Sequence, residues 1–174
     1  MTHDCSKALP PTLVADSGLD DADLLGLEMV RLMCVAYSGK QPGAWEYALE
    51  RAEEAYGESD GAALFAAVRC LMAAIRAGRA SCFDFMNPWC AECSLHVTGH
   101  ELALLSLITA SKQSDSPAAM AQAIVVCEGR PCGDLLESAT RLAAVLRRIG
   151  QRVAEAGPFP VDGPGRLARV GPLA

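Results

Sequence analysis

The residues with chemical capacity are concentrated between positions 82 and 100, where Cys82, Cys90, Cys93, His96 and His100 share one short stretch. Cys90 and Cys93 form a Cys-x-x-Cys. A tight turn at that spacing can aim both sulfurs at one point, which is why it recurs in zinc and iron–sulfur sites. Cys82 lies eight residues before Cys90, across Pro88, close enough for a folded-back loop to supply a third thiolate. His96 would complete a tetrahedral set of three cysteines and one histidine. His100, Cys127 and Cys132 are the alternative fourth ligands. Thiolate with imidazole suits Zn2+. An Fe-S cluster on Cys82, Cys90, Cys93 and either Cys127 or Cys132 is the alternative cofactor. A closed zinc site would be structural, pinning the segment so that its flanks dock in one geometry.

The same two cysteines support a different chemistry. The run Phe83-Asp84-Phe85-Met86-Asn87-Pro88-Trp89-Cys90-Ala91-Glu92-Cys93 resembles the active-site run of thioredoxins. The resemblance implies a nucleophilic thiol at Cys90 and a resolving thiol at Cys93. It covers eleven residues, has Ala91-Glu92 where that family carries Gly-Pro, and has no strand pattern on either side. Other catalytic patterns are incomplete. His100-Glu101 is half of a zinc-protease motif with Leu104 in place of the second histidine, and no Gly-Lys-Ser or Gly-Lys-Thr phosphate loop occurs. The lack of a complete catalytic constellation favours a binding or regulatory role over an enzyme.

Composition narrows the field further. The chain has 174 residues, 51% of them hydrophobic, and a formal net charge of −6. Phosphate contacts need clustered Lys and Arg, so this balance argues against nucleic acid as a partner. Arg141, Arg147 and Arg148 read as the solvated face of one helix. No basic start precedes an apolar run, and the apolar stretch 102–108 is too short to cross a bilayer. The expected setting is therefore cytoplasmic, away from membranes. There thiols stay reduced, and eight cysteines imply metal, redox chemistry or burial. Cys34 and Cys70 fall on apolar helical faces and read as buried, whereas Cys5 reads as incidental.

The elements that must hold this stretch read as helices throughout. Asp20 or Asp21 can cap a first helix with Leu24, Leu27, Val30, Leu32, Met33 and Tyr37 inward, ending at Ser38-Gly39. A second runs from about 44 to 56 with Trp45, Ala48, Leu49 and Ala52 on its stripe and Gly57 as its stop. A third, capped by Ser59 or Asp60, carries Leu64, Val68, Leu71, Met72 and Ile75 to Gly78. Thr98-Gly99-His100-Glu101 matches a capping box. Ser116-Pro117 opens a helix reaching about Cys127. Leu135, Ala139, Leu142, Leu146, Ile149 and Val153 form the apolar seam of the last.

These predict an all-α protein, a helical bundle of about six helices with a central cysteine-rich irregular loop. Residues 1–18 read as a flexible leader and 19–156 as the helical domain, its sets 19–78 and 99–156 joined by 79–98. Residues 157–174, rich in Pro and Gly, read as a disordered tail. The function expected from this is a small metal-binding regulatory or protein-interaction protein. A thiol–disulfide redox protein and a helical scaffold are the alternatives. The partner would be another protein or a second copy, with a possible homodimer through the 134–156 helix.

Overall fold

The computed structural model describes residues 9–156. Cys5 and the rest of residues 1–8 of the expected leader, and the tail at 157–174, lie outside them. Within them the chain is all-α: five α-helices and two short 3-10 turns, with no β-strand among the described residues.

Helix α1, Asp21–Tyr37, begins where Asp20 accepts the Asp23 amide at 2.8 Å. Asp20 and Asp23 also hold Lys112 at 3.0 and 2.9 Å, so the negative charge at this helix start is paired as well as aligned with the helix dipole. Met29, Val30, Leu32 and Met33 are buried, but Leu24 and Tyr37, expected inside, stand 37% and 41% exposed. The stripe is rotated toward Leu25 and Met29.

Helix α2, Ala44–Gly78, is two helical stretches joined at a kink at Gly57, whose φ of 78° and ψ of 165° are not helical. The first stretch therefore ends at Gly57 as expected, and counted straight through the kink the described helices number five where about six were expected. Across that bend the backbone closes on itself: a Cβ on Gly61 would lie 2.5 Å from the Glu53 nitrogen. Asp60, expected as a cap, is instead 6% exposed and takes Arg148 at 3.2 Å together with Arg152. Trp45, expected on the inner stripe, is 43% exposed and tilted against Phe65.

Gly57 sits in a backbone region that only glycine occupies without strain, and no atom stands near its notional Cβ. Gly57→Ala should therefore lose about 1–3 kcal/mol through the backbone alone, measured as a lowered denaturant midpoint with unchanged slope.

Helix α3, Gly99–Lys112, opens with the capping box: Thr98 Oγ1 accepts the Glu101 amide while Glu101 accepts the Thr98 amide. Helix α4, Ser116–Val126, has Pro117 in its first turn and Asp115 as its cap. Helix α5, Gly133–Ala156, follows a tight turn at 127–132. α2 packs against α1 and α5, and α3 packs against α4 and α5.

The α5 seam closes the bundle: Leu135, Ala139, Leu142, Leu146 and Ile149 are each 2% exposed or less. That stripe is therefore spent inside the chain. Arg147 is not merely solvated either, because it donates to Ser111 O and Lys112 O at 3.2 and 2.7 Å and closes the end of α3. α2 holds a window apolar enough to cross a membrane by length and composition. Its stripe of Leu64, Val68, Leu71, Met72 and Ile75 is spent on the core.

Candidate functional site

The segment between α2 and α3 is positioned by a buried ion pair. Arg31 lies in the otherwise apolar run 29–35 of α1 and is 4% exposed, while Glu101 in the first turn of α3 is 0% exposed. The guanidinium meets the carboxylate twice, Nε to Oε1 at 2.6 Å and Nη2 to Oε2 at 3.1 Å. Burying two charges is costly unless their remaining hydrogen-bonding capacity is used. Here the loop backbone uses it. Glu101 accepts the amides of Met86 and Thr98 at 3.2 and 2.8 Å, and Arg31 donates to Ser94 O and His96 O at 2.9 and 2.6 Å. One pair thereby grips the chain on both sides of the cysteines. Phe85 and Met86, 2% and 0% exposed, drive the same segment into the core.

The Cys-x-x-Cys turn is built on Asn87. Its Oδ1 accepts the Trp89 amide and its carbonyl accepts the Cys90 amide. Cys90 O then accepts from Ser94 at 2.9 Å, and Cys93 O accepts from His96 at 3.0 Å. The Cys93 amide donates to Cys90 Sγ at 3.4 Å. Cys90 is half-buried and Cys93 is 1% exposed. Trp89 packs on Tyr47 with ring centroids 5.3 Å apart, and its buried indole N–H has no hydrogen-bond partner.

Part of the expected leader is tied to this turn. Val97 N donates to Thr12 O at 3.0 Å, Leu13 and His96 form an isolated antiparallel bridge, and His96 Nδ1 lies 2.6 Å from Pro10 O. A carbonyl only accepts, so Nδ1 carries the proton and Nε2 is left as the basic nitrogen.

The other candidate ligands are dispersed. Cys82 is exposed, and Cys127 is buried against Gly78, where a Cβ would lie 2.7 Å from its sulfur. Burial first, then the charge of Cys132, pushes the Cys127 thiol up. Cys132 is half-buried, 3.9 Å from the Met120 sulfur. His100 has Nδ1 accepting the Asp84 amide at 2.8 Å and Nε2 3.3 Å from Arg79 Nη2. Burial, then the Arg79 charge, lowers its pKa. Cys34 is buried and pushed up to about 12, while Cys70 is only half-buried. Among the described residues no group of three or more Cys, His, Asp or Glu converges as a metal site.

No family model, curated protein or solved structure matches the chain. Function must be read from these residues alone. Sequence reasoning took Glu101 for a capping residue and passed over Arg31. A cation inside an apolar helical stripe was the available signal. It also passed over Arg79 and Glu128, whose pairing joins the loop to the turn between α4 and α5 at 3.1 Å.

Proposed function

We propose that this is a thiol–disulfide redox protein of the helical class, acting through Cys90 and Cys93 in the irregular loop 79–98 within a reducing compartment such as the cytoplasm. The reading rests on one observation: a half-exposed Cys90 whose sulfur accepts the amide of a buried Cys93 at 3.4 Å. A backbone N–H aimed at sulfur favours thiolate over thiol, because it stabilises the charged form. The difference in access assigns the two roles. Cys90 Sγ attacks one sulfur of a small or protein disulfide, a Cys90 mixed disulfide forms, and the other sulfur leaves as a thiolate. Cys93 Sγ, giving up its proton, then attacks Cys90 Sγ. The Cys90–Cys93 disulfide forms and the second thiolate leaves. Two protein thiols are oxidised by two electrons and one disulfide is reduced to two thiols. The test is exchange with glutathione disulfide in the Cys90→Ser and Cys93→Ser variants. Retention of wild-type exchange by Cys90→Ser would sink the reading.

A second reading, a structural Zn2+ held by Cys82, Cys90, Cys93 and His96, is favoured by the His96 tautomer. A histidine that donates through Nδ1 to a carbonyl presents Nε2 as metal-ligating histidines do. It requires Cys82 to close on the pair. On this reading the untagged protein contains about one zinc per chain, lost in Cys82→Ser. Metal-free, fully folded protein would remove it.

A further inference from the structure

Residues 79–81, at the end of α2, direct four hydrogen-bond donors onto one carboxylate. Glu128 Oε1 takes Arg79 Nη2 at 3.1 Å and the Ser81 hydroxyl, and Oε2 takes the Ala80 and Ser81 amides at 2.9 and 3.2 Å. Two consecutive amides beside a guanidinium make an anion-binding concavity. Two donors to each oxygen match a planar carboxylate. We propose that residues 79–81 form a carboxylate receptor, closed in the resting chain by its own Glu128 and opened by a carboxylate from an acidic peptide.

The two halves of the contact are built differently. The Arg79 side chain is 4% exposed and is held by bonds that do not involve Glu128. Its Nη1 donates to Val126 O at 2.6 Å, its backbone N–H donates to Ile75 O at 3.1 Å, and its guanidinium lies 5.7 Å over the Phe83 ring. The guanidinium is therefore preorganised. Glu128 instead stands in an exposed turn at φ 56°, a left-handed conformation that is rarely adopted by residues with a side chain, and its own side chain is 29% exposed.

Removing the carboxylate leaves a buried guanidinium without its counter-charge, which is strongly unfavourable and favours capture of a replacement. Acid does not open the contact in the physiological range, since the Ser81 and Ala80 donors hold the Glu128 carboxyl down to about 2. A competing anion can. Because Glu128 competes at the high effective concentration of an intramolecular group, the competitor needs a second foothold. Ile124 and Val125, 46% and 59% exposed in the last turn of α4, supply an apolar one within four residues of Glu128. The partner chemistry is an acidic side chain next to an apolar one.

The test uses the full chain carrying Glu128→Ala, with the Ala80 and Ser81 amide resonances followed as acetate replaces chloride at constant ionic strength. Saturable shifts at both amides, with a melting midpoint raised by ~2–4 °C and wild-type shifts on the order of 10-fold smaller at the same acetate, support the receptor. Acetate and chloride giving the same spectrum overturns it. Inorganic phosphate shifting these amides where acetate does not overturns the carboxylate assignment. If Glu128→Ala does not fold, Glu128→Gln carries the same titration with the same outcomes.

Discussion

Replacing Glu101 with Leu is expected to cost about 3–5 kcal/mol of stability, the range for breaking a buried ion pair. The variant leaves Arg31 charged at 4% exposure and takes the acceptor from the amides of Met86 and Thr98. An orphaned buried amide costs about 1–3 kcal/mol on its own. The informative experiment is the double variant Arg31→Met/Glu101→Leu. Buried ion pairs are often replaceable by apolar residues without loss, because their own desolvation offsets their attraction. This pair differs in what else it holds. Ser94 O and His96 O would lose their donor in the double variant as well. The double variant is therefore expected to recover only part of the loss, with amide exchange accelerated across 86–98. Urea midpoints and hydrogen exchange on the two variants check this. Full recovery in the double variant would mean that the pair contributes charge neutralisation and nothing to the loop.

The helices were legible because their signals are local. Asp20 and Thr98 with Glu101 mark helix starts through side-chain–backbone bonds made within a few residues, and Pro117 marks one through its fixed φ in the first turn. The seam Leu135 to Ile149 repeats at helical spacing and is buried as that spacing requires. What the sequence did not show is the pairing of distant residues. Arg31 and Glu101 are seventy positions apart, and Arg79 and Glu128 forty-nine. No periodicity links such pairs. Glu101 is the clearest example, since its capping role is real and visible locally while its contact with Arg31 depends on α1 docking against the start of α3. Trp45 and Leu24 failed for a related reason. An apolar side chain fits a stripe on paper, but the bend at Gly57 and the rotation of α1 decide which residues reach the core.

The candidate site was legible in type and incomplete in geometry. The Cys90-x-x-Cys93 spacing forecast a shared turn, and the Cys93 amide does reach Cys90 Sγ. The positions of Cys82, exposed, and of His96, held to Pro10 O, depend on how Pro88 and residues 9–13 pack, which no local pattern encodes. The consequence is that the well-formed part of the site has two sulfurs, and two sulfurs suffice for exchange chemistry.

Cys90→Ser is accordingly expected to lose disulfide exchange with glutathione disulfide by on the order of 100-fold or more, since a hydroxyl does not replace a thiolate as the attacking group. Cys93→Ser should behave differently. It keeps the attacking sulfur and loses the resolving one, so it accumulates a glutathione adduct on Cys90 that the wild-type chain clears by closing the Cys90–Cys93 disulfide. Mass spectrometry of the intact chain separates the two outcomes as an added glutathione against a loss of two hydrogens. Cys82 is the decisive control, being exposed and close in sequence. If the pair acts alone, Cys82→Ser leaves the exchange rate and the melting midpoint unchanged. If Zn2+ on Cys82, Cys90, Cys93 and His96 is the true function, Cys82→Ser instead lowers the midpoint and releases metal. The burial of Cys93 adds a kinetic signature. Alkylation with iodoacetamide should label Cys90 well before Cys93, because Cys93 is 1% exposed whereas Cys90 is only half-buried. Equal labelling rates would mean the loop opens faster than it reacts, and the assignment of attacking and resolving roles by access would fail.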